Sequence, residues 1–347
     1  SVALFHFQSE SFLTNNIFIR NSWLMVDFFF VLSGFVIAYR YQEQIKNLHD
    51  CINFQTKRFL RLYPLHLIML IAFLGVECSK YIAQTYFGLN SNVSPFSVND
   101  ATSFIFNLLL LQNIFQDTLT WNGPSWSISS EFYTYILFAT LTASVYKKRV
   151  MYFIALFIII SLSFYLLLIS NMSSSNGLLR CLYSFFLGVL VYHIHTHLAL
   201  KIPSALVYLV LLLSIISICL TGGEDVIDIN IFVPLLFSIL IYSLLTSPED
   251  MYFKTILQNK FLIRLGTISY GIYMVHILVW WIIIQSLRLV FKFPTIMDSR
   301  GMTEVIINGQ LLSTFIVLTG LGIIVFLANY SYEKLEKPIN NYRKKLT

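Results

Sequence analysis

Four ionisable side chains lie within long apolar stretches of the sequence: His6, Asp27, Glu131 and His276. Ionisable groups inside a lipid bilayer are costly, so they usually have a function or pair with one another. An imidazole beside a carboxylate can act as a general base, because the carboxylate fixes the ring tautomer and stabilises the imidazolium ion. The sequence therefore indicates His6 as a catalytic base and Glu131 as a carboxylate that orients it.

Each of these residues also has a structural interpretation. An interfacial polar residue bonded to a helix end is the interpretation we favour for Asp27, and Glu131 fits either role. His6 can pair with Glu10, which follows four residues later on the same helix, but we favour catalysis for His6. For His276, a buried histidine bonded to a neighbouring helix fits at least as well as catalysis.

A basic segment, Lys-Arg-Phe-Leu-Arg-Leu-Tyr-Pro at 57–64, opens the third apolar stretch. Arg58 and Arg61 are three residues apart and therefore neighbours on one helical face. Two guanidinium groups at a helix start can bind phosphate bidentately, whereas anchoring of the helix on the cytoplasmic side is the simpler interpretation. In the second apolar stretch, Ser33 and Gly34 are small residues that let two helices pack closely or leave room for a substrate. We expect helix packing to be their role.

No metal site is predicted. Cys51, Cys78, Cys181 and Cys219 are scattered and form no metal-binding spacing, so we expect four buried, unpaired thiols. Three histidines alternate at positions 193, 195 and 197, but residues i and i+2 on a helix do not face each other. We therefore predict a solvated loop there.

The amino-acid composition indicates what kind of protein contains these residues. The 347-residue chain is 57% hydrophobic and only 12% charged, against about 25% charged residues in soluble domains. This excludes a soluble enzyme, a disordered chain and a disulfide-stapled module, and predicts a polytopic membrane protein. The net charge of +6 then sets topology and does not imply nucleic-acid binding.

Stretches of about 20 apolar residues predict the membrane spans. They lie at 1–8, 23–40, 60–78, 126–146, 150–170, 178–197, 204–221, 230–247, 270–291 and 311–331. The first is the end of a span that begins before Ser1, and the run at 104–115 is a re-entrant or interfacial helix. The sequence thus predicts an all-α bundle of about ten transmembrane helices in a single domain, 1–347, with no soluble domain after it.

The basic residues predict the orientation of these spans. With both ends of the chain in the cytoplasm, seventeen Lys and Arg residues fall on the cytoplasmic side and six, Arg180 among them, on the outer side. Asp27 then lies about 6 Å and Glu131 about 8 Å inside the outer surface. We expect His6 at the same outer depth and His276 in the inner half.

Six segments together resemble the acyltransferase-3 family of integral membrane acyltransferases. They are Leu-Phe-His-Phe (4–7), Val-Asp-Phe-Phe-Phe-Val-Leu-Ser-Gly-Phe-Val-Ile (26–37), the basic segment 57–64, Trp-Ser-Ile-Ser-Ser-Glu-Phe-Tyr (126–133), Ser-Tyr-Gly-Ile-Tyr-Met-Val-His (269–276) and Glu-Lys-Pro (336–338). The segments occur in order over nearly the whole chain. The family's usual basic residue eleven positions before the histidine would precede Ser1, and Ile128 replaces its usual leucine.

The resemblance implies an activity and residue roles. The family transfers acyl groups, often acetyl, from cytoplasmic acyl-CoA to hydroxyls of glycans, lipid-linked sugars or small molecules, and it uses no metal. His6 matches its essential histidine, and Arg58 and Arg61, with Lys57 beside them, match its cytoplasmic R-x-x-R motif for the donor. The matched segments add Asp27, Ser33, Trp126, Ser127, Tyr270 and His276 as substrate-binding or supporting residues. A bacterial plasma membrane is the expected location.

Two other classes remain open at this point. A transporter or flippase can use intramembrane histidine and acidic residues as a proton relay, but such proteins commonly show repeated halves and no repeat is evident here. A membrane protein that binds or senses without catalysis is the third possibility.

Overall fold

The computed structural model describes residues 1–7, 9, 11–89, 93–198, 200–221, 229–297 and 303–345. Helices dominate this part of the chain. In chain order they are α1 (Val2–Phe5), α2 (Ile17–Arg20), α3 (Met25–Tyr41), α4 (Leu48–Phe87), α5 (Ala101–Leu108), α6 (Gln112–Phe115), α7 (Trp126–Val145), α8 (Arg149–Ile169), α9 (Gly177–His197), α10 (Ser204–Leu220), α11 (Val233–Thr246), α12 (Tyr252–Leu257), α13 (Lys260–Thr267), α14 (Ser269–Leu289), α15 (Gln310–Ser331) and α16 (Lys337–Lys345). A π-helical segment, Tyr332–Glu336, joins α15 to α16.

Six described helical segments are long and apolar enough to cross a membrane. They are Ser22–Tyr41, Leu48–Phe87, Arg149–Ile169, Ser174–His197, Ser269–Leu289 and Gln310–Asn341, and two shorter apolar helices are Ser204–Leu220 and Asn230–Thr246. The predicted class, an α-helical membrane protein, is confirmed. The count of ten spans and the side of each end stay predictions.

Helix α4 is the largest departure from the predicted elements. It has 40 residues and is therefore about 60 Å long, twice the roughly 30 Å of a bilayer core. The side chain of Asn47 caps its start by accepting the backbone N–H of Asp50 at 3.0 Å. The span predicted at 60–78 lies inside this helix, which begins at Leu48, because apolarity marks the membrane part of a helix and not its ends.

Two shorter segments complete the connections. The run at 104–115 is divided between α5 and α6, with Asp100 capping α5 by accepting the backbone N–H of Ser103. This bond lowers the pKa of the Asp100 carboxyl. Strands β1 (Thr295–Met297) and β2 (Thr303–Val305) form an antiparallel pair with Thr295 opposite Val305. This pair is an exception to the all-α prediction, and its β-branched residues favour strand structure.

The chain forms two compact units, each assembled from separate parts of the sequence. Unit 1 comprises Ser1–Arg20, Leu60–Trp126 and Leu265–Thr347, and unit 2 comprises Asn21–Phe59 and Ser127–Arg264. Helix α4 contributes to both. The single domain predicted from the sequence stays a prediction.

Unit 1 is centred on Trp280 of α14. Its indole N–H donates to the carbonyl of Ala3 at 2.6 Å, and its ring meets Phe7 edge to face. The same ring occupies the space above Gly320 of α15, where an added Cβ would lie 2.1 Å from it. One large side chain therefore holds the segment around α1 against α14, and α14 against α15.

Unit 2 is built on close contact between α3 and α9. A Cβ added to Gly34 would lie 1.9 Å from the carbonyl oxygen of Phe185, and one added to Gly188 would lie 2.0 Å from that of Val31. The helix backbones touch at both glycines, as small residues in membrane helices allow. The packing role expected for Gly34 is confirmed.

Candidate active site

Two histidines of unit 1 are joined by a hydrogen bond. His6 follows α1 directly, and its Nδ1 lies 3.0 Å from the carbonyl oxygen of Val2 and 3.1 Å from Nε2 of His276. The Nδ1 atom of His276 lies 2.7 Å from the carbonyl oxygen of Tyr273. His276 is fully buried, whereas His6 is half-buried.

The bonding pattern assigns the tautomers of both rings. A carbonyl oxygen can only accept, so the Nδ1 atoms of both histidines carry the hydrogen. His276 then accepts on Nε2 from the N–H of His6. In neutral His6 the remaining nitrogen, Nε2, carries the lone pair that a general base needs.

Neighbouring elements fix the position of this pair. The segment before α7 reaches α14 through the hydroxyl of Tyr273, which donates to the carbonyl of Pro124 at 2.8 Å. The side-chain amide of Asn122 donates to the carbonyl of Met274 at 3.0 Å. The turn of α14 that carries His276 is thus held from two directions, which limits how far the ring can move.

The contact between the histidines corrects the depths predicted for them. His6 was expected near the outer surface and His276 in the inner half, yet their rings are hydrogen-bonded. Depth had been counted from the residues at which the spans were predicted to begin, and a helix that starts or tilts differently shifts that count. Glu10, the alternative partner of His6, lies outside the described residues.

Asp27 forms a buried ion pair, in contrast to the interfacial role predicted for it. Its Oδ2 accepts from Arg180 at 2.7 Å, its Oδ1 accepts from Ser184 at 3.2 Å, and both charged side chains are essentially inaccessible. The guanidinium of Arg180 also lies 5.0 Å from the centre of the Trp23 ring. Arg180, which had been counted as an outer-loop charge, lies inside α9 as the partner of Asp27 in unit 2.

Glu131 lies in a cluster of hydroxyl groups in unit 2. Its Oε1 accepts hydrogen bonds from Ser33 and from Tyr135, each at 2.5 Å, and the two hydroxyl oxygens are 3.0 Å apart. Tyr135 is buried, whereas Ser33 and Glu131 are partly accessible. A carboxylate with two short hydroxyl donors is the arrangement in which a hydroxyl can lose its proton.

The three basic residues predicted to bind a donor differ in their surroundings. Arg58 donates to the hydroxyl of Tyr41 at 2.9 Å, and its guanidinium lies 5.0 to 5.9 Å from the ring centres of Tyr41, Phe54 and Tyr135. Lys57 is half-buried and Arg61 is exposed. All three lie inside α4, well past its first residue, Leu48, and not at a helix start as predicted.

The remaining predicted residues have supporting positions. Trp126 and Ser127 are buried at the first turn of α7. The hydroxyl of Tyr270 donates to the carbonyl of Leu62 and so joins α14 to α4 within unit 1. Neither observation gives these residues a chemical role.

Two predictions about histidines and thiols were wrong in part. Positions 193, 195 and 197 belong to α9 and not to a loop, and His193 is buried with its Nε2 2.9 Å from the side-chain amide of Gln42. The four cysteines are free, but Cys78 is exposed and Cys219 half-exposed. Within the described ranges, no group of three or more His, Cys, Asp or Glu side chains is placed to hold a metal ion.

Sequence reasoning missed two members of these clusters. Tyr135 follows Glu131 by four residues, and i, i+4 neighbours on a helix meet. Arg180 lies in the first turn of the apolar helix α9, and a single charge in an apolar helix usually pairs with a residue of opposite charge. Both signals were present, but neither residue carries a motif.

Comparison with known proteins identifies the family. The family model described as an acyltransferase domain matches residues 2–331. The chain belongs to this acyltransferase-3 family. It is also similar to Protein 2 in picA locus of Rhizobium radiobacter, with 31% identity over an alignment that covers 37% of this chain and 71% of the relative. No solved structure matches. With its apolar helices, the protein is a membrane acyltransferase.

Proposed function

We propose that this membrane acyltransferase moves an acyl group, acetyl in the simplest case, from cytoplasmic acyl-CoA to a hydroxyl group. The acceptor classes are a surface glycan, a lipid-linked sugar or a small hydroxylated molecule. The observation that carries the proposal is the hydrogen bonding of Nδ1 of His6. Because Nδ1 lies within hydrogen-bond distance of the Val2 carbonyl and of His276, we assign the lone pair to Nε2, which is the proposed base for the acceptor hydroxyl.

The chemistry follows from this assignment. Nε2 of His6 takes the proton of the acceptor hydroxyl as the hydroxyl oxygen attacks the carbonyl carbon of the acyl group. The coenzyme leaves as a thiolate, which needs little acid help because a thiol has a pKa of about 8.5. His276 keeps the His6 ring in the required orientation and accepts from the imidazolium that forms. We also assign Glu131 to catalysis, as the sequence predicts.

Basic residues of α4 serve the donor. Arg58, Arg61 and Lys57 neutralise the phosphates of acyl-CoA, for which guanidinium groups are well suited. The proposed topology, ten spans with both ends in the cytoplasm, has this part of α4 on the cytoplasmic side, where acyl-CoA is found. A bacterial plasma membrane is the proposed location.

Labelled acetyl-CoA tests the proposal with purified protein in lipid. Label should move to a glycan or lipid acceptor, and His6→Ala should lower the rate by about 100-fold or more, the usual contribution of a general base. His49→Ala is the matched control, because His49 is exposed near the start of α4. Full activity of His6→Ala would remove His6 from catalysis, and uptake of a substrate without covalent change would indicate a transporter instead.

The donor residues require a separate measurement. Arg58→Ala combined with Arg61→Ala should weaken acyl-CoA binding by at least tenfold, since each lost guanidinium–phosphate contact is worth about 1.5 kcal/mol or more. An unchanged affinity would place the donor elsewhere. Lys260→Ala, which removes an exposed cation from α13, controls for a general loss of positive charge.

A further inference from the structure

The hydroxyl cluster around Glu131 has the components of a nucleophile and its base. Ser33 donates to Glu131 Oε1 at 2.5 Å, and Tyr135 donates to the same oxygen atom at the same distance. Charge-assisted O–H···O⁻ bonds are this short when the proton is strongly attracted to the acceptor. A serine hydroxyl is a weak nucleophile until an adjacent base takes its proton, and Glu131 is in contact with it.

The cluster is also accessible, which a purely structural hydrogen bond would not need. Ser33 and Glu131 are both partly exposed, although Ser33 lies in the middle of α3, a helix apolar enough to cross a membrane. A carboxylate left partly open at such a depth is costly. The buried Asp27–Arg180 pair of the same unit shows the alternative, in which the charge is neutralised completely.

A fixed positive charge lies beside this group. The guanidinium of Arg58 lies 5.9 Å from the ring centre of Tyr135, and the hydroxyl of that ring is 3.0 Å from the Ser33 oxygen. Within unit 2, a residue assigned above to the donor therefore neighbours the serine.

We infer that Ser33 is an acyl carrier, activated by Glu131 and esterified by acyl-CoA before the acyl group reaches its acceptor. This rests on the proposed use of acyl-CoA as donor. The Ser33 oxygen attacks the thioester carbonyl carbon while its proton passes to Glu131. The carbon–sulfur bond then breaks and the coenzyme leaves as a thiolate. Once Glu131 is protonated, the Tyr135 hydroxyl is released to donate to the oxyanion of the intermediate.

The second half of the reaction restores the serine. The acceptor hydroxyl attacks the carbonyl carbon of the Ser33 ester and releases its proton, which balances the charge of the coenzyme thiolate. The bond between that carbon and the Ser33 oxygen breaks, and the serine oxygen takes its proton back from Glu131. One thioester is consumed and one ester of the acceptor is formed, with no oxidant or further reactant.

Acid quenching of the protein with labelled acetyl-CoA, in the absence of any acceptor, tests this assignment. One acyl group should appear on the peptide that contains Ser33, stable to acid as an oxygen ester is, with one equivalent of coenzyme released. Ser33→Ala should abolish this label and the transfer activity. Ser33→Cys should instead give a thioester that neutral hydroxylamine cleaves, a chemical change that misfolding cannot produce.

Matched variants separate chemistry from folding. Glu131→Gln keeps an acceptor oxygen but lacks the base, so it should slow Ser33 acylation by about 100-fold or more. Ser214→Ala removes a buried hydroxyl that bonds only its own helix, at the carbonyl of Val210, and should acylate normally. His6→Ala should still acquire the label on Ser33 but fail to pass it on.

The outcomes distinguish this inference from the proposed function. Label on another residue, no label at all, or wild-type transfer by Ser33→Ala would overturn the acyl-Ser33 intermediate and leave a direct, His6-assisted transfer standing. Label on Ser33 together with full transfer by His6→Ala would overturn the role of His6 and leave the carrier standing. Ping-pong steady-state kinetics support the carrier, and sequential kinetics oppose it.

Discussion

Hydrogen bonds at one ring nitrogen decide which nitrogen of a histidine is basic. His6 donates its Nδ1–H to the carbonyl of Val2 and to Nε2 of His276, so its basic nitrogen is Nε2. A histidine partner accepts the same hydrogen bond as a carboxylate but adds no negative charge. Orientation of the His6 ring is therefore the contribution that we assign to His276.

This role predicts the effect of His276→Phe. An aromatic ring is kept, but one of the two acceptors for the Nδ1–H of His6 is lost, and only the Val2 carbonyl remains. We expect kcat to fall about tenfold to 100-fold, part of the contribution that a well-oriented base makes, with the KM for acyl-CoA unchanged. Steady-state kinetics in lipid measure both quantities. A matched fall in kcat and affinity, or no change at all, would contradict a positioning role.

At the residue scale, the sequence identified candidate site residues but not the partners that they contact. His6, Asp27, Glu131 and His276 stood out because each is an ionisable group in an apolar stretch. Their partners did not follow from spacing, because the His6–His276 and Asp27–Arg180 contacts join residues 270 and 153 positions apart. The short-range partner Tyr135 was predictable from helix geometry.

At the scale of elements, the α3–α9 pair of unit 2 combines close packing with a buried charge pair. Contact of the two backbones at Gly34 and Gly188 brings the helices near enough for Asp27 to reach Arg180. The sequence predicted the helices themselves, since apolar runs and small residues mark them. It could not predict where α4 begins, because the polar first turns of that helix resemble a loop in composition.

The Asp27–Arg180 ion pair predicts that removing one partner destabilises the protein more than removing both. Asp27→Leu leaves the Arg180 guanidinium buried without a counter-charge and should lower the free energy of unfolding by about 3–5 kcal/mol. Combining it with Arg180→Leu removes both charges and should recover much of that loss. Thermal unfolding in detergent compares the three proteins. If the double variant is no more stable than Asp27→Leu alone, an unpaired buried charge is not the cause.

The glycine contact makes a separate prediction. Gly188→Ala places a Cβ 2.0 Å from the carbonyl oxygen of Val31, so a backbone must shift, and overpacking of this kind costs about 1–3 kcal/mol. Gly75→Ala in α4 meets nothing within 4 Å and should be neutral or stabilising, because alanine favours a helix by about 1 kcal/mol over glycine. Equal unfolding temperatures for both variants would show that the close approach of α3 and α9 does not hold the unit together.

At the scale of the whole molecule, the distribution of basic residues sets the orientation in the membrane. Arg180 is neutralised in its pair with Asp27 and no longer counts as an outer charge. Its removal leaves five outer basic residues against the seventeen on the predicted cytoplasmic side, so the bias becomes stronger. The predicted orientation would give the proposed donor residues of α4 access to cytoplasmic acyl-CoA.

Cysteine labelling from outside intact cells tests this orientation. In a Cys78→Ser background, which removes the exposed native thiol, single changes at three exposed lysines, Lys147→Cys, Lys201→Cys and Lys292→Cys, report three different connections. Only Lys292→Cys should react with a membrane-impermeant maleimide, because an even number of spans separates the other two positions from the cytoplasmic end. All three should react once the membrane is opened. Labelling of Lys147→Cys or Lys201→Cys from outside would contradict the predicted number of spans before that position.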